Sequence, residues 1–296
     1  MNEMKSEKKG DESRIMKMSI DDEVFPDKLR RIADPPKELY LIGREELIHR
    51  RSIAIVGARK CTEYGKHIAM TIAKKAALAG FTVVSGMALG IDNFAHIGAL
   101  KASGETIACL GTAIDECYPR QHKNLYGDIA GRGLLISEYP PGAKGMPYMF
   151  PRRNRIIAGL SEAVIVVEAG TDSGALITAE YANEQGKFVF AVPGNITSPM
   201  SLGTNKLLTE GAIPVAVIDD IFFQLGATPI AEEEDLAKTD GDERRVYEFV
   251  KYNGETPLDL LCEHLELNPI ICKGIISVLE IKGLVACTLG RVFAVK

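Results

Sequence analysis

From Ser52 to about Val217 the chain repeats one unit: a short apolar run, a loop carrying glycine, and a stretch long enough for a helix. The runs are IAIVG (53–57), FTVVSG (81–86), TIACLG (106–111), LLISEY (134–139), AVIVVEA (163–169) and FVFAVPG (188–194). Their continuous apolar character, without the polar alternation of a half-solvated strand, requires cover on both faces. Helices between strands, read at 67–79 and 92–101, supply that cover and return the chain to begin the next strand in the same direction. The pattern predicts an α/β domain built on a doubly wound, mainly parallel sheet. Such a sheet delivers the loop after each parallel strand to one edge, so those loops are where chemistry is to be sought.

The flanks read differently. Residues 1–20 are charged and aperiodic and are expected to form a disordered arm, and 21–50 a short lead-in packed on the main domain of residues 51–225. An acidic linker (226–241) then leads to residues 242–296, where three helical segments and a hairpin-like end, LVACTLGRVFAVK, have the layout of a small C-terminal winged-helix domain. No apolar run reaches the roughly 18 residues of a membrane span. The opening MNEMKSEKKGDESR is too polar for a signal peptide, so a cytoplasmic location is expected. Six widely spaced cysteines with no CxxC pair read as reduced thiols, and no metal or other cofactor is implied.

A net charge of −5 argues against a polyanion partner until it is divided by region. Residues 1–50, 51–215 and 216–296 carry −1, +3 and −7, so the acidity sits in the tail and the sheet domain is mildly basic. Binding depends on the local field and not on the total.

Five loops at strand ends carry candidate groups. VGARKCTEYG places Arg59 directly after a strand; it is neither GxGxxG nor a GxxxxGK[ST] loop, which disfavours dinucleotide binding and P-loop hydrolysis. SGMALGID offers Ser85 and Gly86, whose backbone N–H groups could form an anion nest, and puts Asp92 and His96 four apart on a helix. That pair could act as acid and base, but a carboxylate that merely fixes a histidine in the fold is the stronger reading. FPRRNR sets Phe150 beside Arg152, Arg153 and Arg155, an aromatic with cations as in surfaces that stack bases and hold a backbone. At least one of these arginines is expected to pair with Glu162 or Glu168 instead. TDSGALIT brings Ser173 and Gly174 to a helix start, and GTNK adds Asn205 and Lys206.

Together these segments resemble the DprA/Smf family of DNA-processing proteins of bacterial transformation. The likeness rests on IAIVGARKCTEYG, VVSGMALGID, TIACLGTAIDECYP, ISEYPPG, FPRRNRIIAGLSEAVIVVEA, SGALITAEYANEQGKFVFAVPG and GTNKLLTEGAIPV. It implies an extended Rossmann-like domain that binds single-stranded DNA, dimerises, shields the strand and helps to load a RecA-type recombinase, with no catalytic residues. By position it implies DNA contacts at Arg59, Ser85, Gly86, Phe150, Arg152, Arg153, Arg155, Ser173, Gly174, Asn205 and Lys206. The family often has an arginine where this chain has Leu89, so one groove cation is absent. The rival is a nucleoside-monophosphate phosphoribohydrolase of the LOG type, in which an arginine of the 152–155 run and Glu180 would act on a mononucleotide. That family's PGGxGTxxE turn is not reproduced by AGTDSGALITAE.

Overall fold

The computed structural model describes residues 15–228, 239, 241–282, 284–288 and 290–294. The first 14 residues of the expected arm, and residues 229–238 and 240 of the expected linker, lie outside the described residues. The chain divides into two compact units, Met1–Ile230 and Ala231–Lys296.

Nine strands form the sheet of the first unit: β1 (Met16–Ser19), β2 (Glu38–Gly43), β3 (Ser52–Val56), β4 (Thr82–Ser85), β5 (Thr106–Leu110), β6 (Leu134–Ser137), β7 (Ala163–Val166), β8 (Phe188–Ala191) and β9 (Ile213–Pro214). Their spatial order is β1-β2-β6-β5-β4-β3-β7-β8-β9. All pairs from β6 across to β9 are parallel, whereas β2 runs antiparallel to β6 and β1 to β2. Residues 16–19 are thus a paired edge strand, and an arm disordered through residue 20 is not what forms. Met18, alternating with charged and polar neighbours, is buried there opposite Leu39, a pattern too short to stand out in a charged segment.

Alternation across β3 shows why both faces need helices. Ile53 and Ile55 point into one apolar core, and Ala54 and Val56 into the other. The first core is covered by α2 (Glu63–Leu78), α3 (Ile91–Lys101) and α8 (Ile218–Gln224) through Ala69, Ile72, Ala95 and Phe222. The second is covered by α1 (Asp27–Arg30), α5 (Met149–Leu160), α6 (Gly174–Glu184) and α7 (Leu202–Thr209) through Leu29, Ile157, Ala179 and Leu207. Helix α4 (Lys123–Arg132) packs Leu125 and Ile129 into a smaller cluster with Leu110 and Leu135.

The strand order reverses at β3. The chain runs outward from it through β4, β5 and β6, then returns to its other side for β7, β8 and β9. The loops after β3 and β7 therefore leave adjacent strands in opposite directions and open a crevice between them, the place where doubly wound sheets take ligands.

In the second unit α9 (Gly241–Asn253), α10 (Leu258–Leu265) and α11 (Pro269–Ile281) enclose a core of Val246, Tyr247, Leu261, Cys272 and Leu279. A small antiparallel sheet, β10 (Thr256–Pro257), β12 (Arg291–Ala294) and β11 (Val285–Thr288) in that order, completes the winged-helix layout.

Candidate functional site

At the crevice between β3 and β7 lies an open cleft of about 700 Å3. The loop after β3 contributes Gly57 to Lys60, the loop after β7 contributes Gly170 to Gly174, and α5 contributes Phe150, Arg153 and Asn154. Pro199, Met200 and Leu202 form an apolar part of the wall.

The β3 loop is shorter than its sequence implies, because α2 begins at Glu63 and not near His67. Thr62 caps the helix: its hydroxyl accepts the Gly65 N–H at 3.1 Å, while its own N–H donates to Glu168 at 2.8 Å. A side chain at residue 65 would meet the Glu168 carboxylate at 2.3 Å, so glycine is required there. Glu168, buried at the end of the β7 segment, therefore fixes the loop and is not available to an arginine. Arg59 emerges from this fixed loop into the cleft, exposed and with no hydrogen bond or ion pair among the described residues.

Arg153 forms the floor. Its Nη1 donates to the Gly86 carbonyl at 2.7 Å and to the Cys109 carbonyl, and its Nε donates to Asn154 Oδ1 at 3.2 Å. Asn154 in turn donates to the Gly174 carbonyl at 3.0 Å, tying α5 to the start of α6. The guanidinium lies against Gly86, where an added Cβ would stand 2.4 Å from Nη2. Nη2 has no hydrogen-bond partner among the described residues, so the floor cation keeps donors to offer. Burial pushes the Arg153 pKa down; Asp92 opposes this and the nearby positive charge of Arg59 adds to it. An anion entering between the two guanidiniums would relieve both effects.

Asp92 is buried beside Arg153 and accepts the N–H groups of Gly86 at 3.1 Å and Ala88 at 3.4 Å, which shapes the loop after β4. Its desolvation raises the carboxyl pKa, against Arg153 and the backbone donors that lower it. It does not hold His96. That ring is fully buried, with Nδ1 at 2.7 Å from the Thr106 hydroxyl, which itself donates to the Val83 carbonyl. The hydroxyl proton being committed, Nδ1 must be the donor, which leaves Nε2 bare and unpartnered. Burial pushes the His96 pKa down to about 3, so the ring is neutral. Neither the acid/base pair nor the carboxylate-fixed histidine is present.

The remaining wall is the start of α6, where Ser173 Oγ accepts the Ala175 N–H at 3.4 Å and Gly174 is open to solvent. Helix N-termini favour anions. Phe150 and Arg153 line both the cleft and a smaller recess of about 50 Å3, which Leu89, Leu110, Gly111, Tyr118 and Pro119 complete. The Phe150 ring packs against Tyr118 with centroids 5.2 Å apart, and Tyr118 is half exposed. In the sequence Tyr118 is marked only as an aromatic in the strand-end loop CYP, too little to select it as a candidate.

The cleft thus gathers Arg59, Phe150, Arg153, Ser173 and Gly174, with Gly86 at the recess. The other candidates stand elsewhere. Ser85 is fully buried and donates to the Ile55 carbonyl at 2.7 Å, joining β4 to β3. Arg155 is buried on the far side of α5, at 2.9 Å from Asp34 and 2.6 Å from Glu138, with Arg152 beside it at 3.6 and 3.7 Å from the same carboxylates. None of the three arginines pairs with Glu162 or Glu168 among the described residues; Glu162 pairs with Arg51 at 2.7 Å. Asn205 spends its amide on the Gly194 backbone, at 3.2 and 3.0 Å. Lys206 is exposed near Glu210 at 3.5 Å and does not line the cleft. Nor does Glu180, which is exposed on α6.

The profile of the family described as DNA recombination-mediator protein A matches residues 17–226. Protein Smf of Synechocystis sp. is 43% identical over 222 residues, spanning 73% of this chain and 55% of that protein. The DNA processing protein DprA of Bacillus subtilis is 41% identical over 215 residues, 72% of each chain. The crystal structure of DNA processing protein A from Streptococcus pneumoniae superposes with a TM-score of 0.68 at 40% identity, covering 70% of this chain and 73% of that one. The protein from Helicobacter pylori, whose structure is described for its single-stranded DNA binding mode, gives 0.66 at 33% identity and covers 72% and 96%.

Proposed function

Because this chain belongs to the DNA recombination-mediator protein A family, we propose that it binds single-stranded DNA in the cleft between β3 and β7, without catalysis, and presents the strand to a RecA-type recombinase as a homodimer. The observation that carries this reading is an Arg59 with no partner among the described residues set beside a buried, partly unsatisfied Arg153 in an open cleft at the strand-order reversal. Successive phosphates lie against Arg59, the Arg153 Nη2 donors and the Ser173–Gly174 helix start. Bases rest against the Phe150–Tyr118 ledge, since every base has a stackable face and no sequence is read.

The LOG-type alternative has less to support it. Hydrolysis of a nucleoside monophosphate needs a carboxylate within reach of the ribose, and Glu180 faces solvent outside the lining. Asp92, the acid nearest Arg153, is occupied by two backbone N–H groups. Labelled oligo-dT bound to the purified protein and challenged with unlabelled single strand, duplex and AMP separates the two. The single strand should displace it at the lowest concentration, with no free base released from AMP. Displacement by AMP with base release would refute the binding role.

A further inference from the structure

We propose that α11 in the second unit is a self-association surface on which a second copy of this chain lays its own α11, antiparallel, about a two-fold axis. The third helix of a helix-turn-helix variant is where a duplex reader concentrates its cations. The outward face of α11 carries instead Ile270, Ile271, Val278 and Ile281, with Ile270 82% and Ile281 88% exposed, and a single lysine, Lys273. Isoleucines this open on a helix whose other side already fills a core through Cys272, Ile276 and Leu279 call for a partner.

Three features commit that partner to a second copy. The exposed positions 270, 274, 277 and 281 are spaced four, three and four apart, a sequence that reads the same in both directions. Turned end for end on itself, the stripe sets Ile270 against Ile281 of the other copy and Gly274 against Ser277, which is the self-complementarity a two-fold interface needs. Lys273 and Glu280 lie seven apart along one flank, so the same antiparallel register brings each lysine to the other copy's glutamate. Glu280 Oε1 accepts the Cys287 N–H at 2.8 Å, which holds the carboxylate in place. On the opposite flank Ile271 meets Val278.

Gly274 is the third feature. Glycine inside a helix costs about 1 kcal/mol relative to alanine, and nothing among the described residues explains it, since an added Cβ would find no described atom within 4 Å. Close approach of a second helix backbone does explain it. One helix pair of 13 residues a side is a small interface, so the association is weak and reversible at micromolar concentrations or above.

Sedimentation velocity of the full chain over a wide concentration range tests this. Ile281→Glu and Gly274→Leu should each weaken the concentration-dependent step at least tenfold, while thermal unfolding is not lowered by Gly274→Leu because helix propensity improves. Lys273→Glu and Glu280→Lys should each lose the step alone and regain it when mixed, since each variant by itself sets like charges at both lysine–glutamate contacts and the mixed pair restores unlike charges at both. If all four variants sediment as the unsubstituted chain does, or the charge variants fail to recover on mixing, the antiparallel pairing is wrong. Duplex DNA bound through this face and released by Lys273→Glu would equally overturn it.

Discussion

Arg153 and Arg155 stand two residues apart on α5 and are almost equally buried, at 6% and 2% exposure, yet they belong to different parts of the molecule. Arg155 is closed within carboxylates: Asp34 and Glu138 neutralise it, and Arg152 shares them. Arg153 is held largely by carbonyl oxygens, with Asp92 beside it and Arg59 adding like charge from across the cleft. One arginine is satisfied within the fold and the other is left short of negative charge. We propose that the second condition marks a binding element and the first a structural one.

Removing each arginine should break the comparison in different ways. Arg153→Ala is expected to have the largest effect. It takes donors from the Gly86 and Cys109 carbonyls and leaves Asp92 buried without its counterion, a loss of about 3–5 kcal/mol in stability, read by denaturant unfolding, together with loss of DNA binding. Arg155→Ala should cost less, about 1–3 kcal/mol, because Glu138 keeps Arg152 as a partner. At temperatures where that variant is folded, its DNA affinity should match the unsubstituted chain.

The smallest effect concerns His96, whose ring is fully buried against Thr106. Its pKa of about 3 in the fold lies below the ordinary value of 6.5, so the ring favours folding above pH 6.5, and that contribution fades as pH falls toward 3. The unfolded chain takes up a proton that the fold refuses, a slope of at most about 1.4 kcal/mol per pH unit. His96→Asn preserves a donor to Thr106 and removes the proton. Its stability between pH 6.5 and 3 should therefore fall less steeply, by about one proton, in unfolding measured at a series of pH values. The opposite trend contributed by Asp92, whose pKa is raised, is common to both proteins and cancels.

Much of this arrangement could be read in the sequence, and the reasons for the rest are physical. Fully apolar runs such as Ile53–Val56 have no other place than the centre of a covered sheet, and their glycine-ended loops had to meet at one edge. The arginine run was legible as a site but not as two sites. Helical spacing of about 100° per residue puts 152 and 155 on one side and 153 on the other, yet which side faced the crevice depended on Asp34 and Glu138, far away in the chain. Ser85 and Asn205 stand outside the lining of the cleft for a related reason. Small polar side chains next to a turn bond the nearest backbone group, here Ile55 and Gly194, before any ligand. Tyr118 was invisible because its value comes only from the Phe150 ring beside it. Met16–Ser19 gave no signal because edge pairing with β2 stabilises four residues whose own pattern is too brief to mark a strand.

The central claim is that the cleft binds through charge left unsatisfied at Arg59 and Arg153, and Arg59→Ala tests it most directly. Arg59 touches no hydrogen-bond or ion-pair partner among the described residues, so its removal should change folding stability by no more than about 0.5 kcal/mol. Fluorescence anisotropy of labelled oligo-dT, titrated at several salt concentrations, should show at least a tenfold loss of affinity. The slope of log affinity against log salt should become shallower by about 0.7, because one phosphate is no longer neutralised. An affinity and salt slope equal to those of the unsubstituted chain would contradict the account.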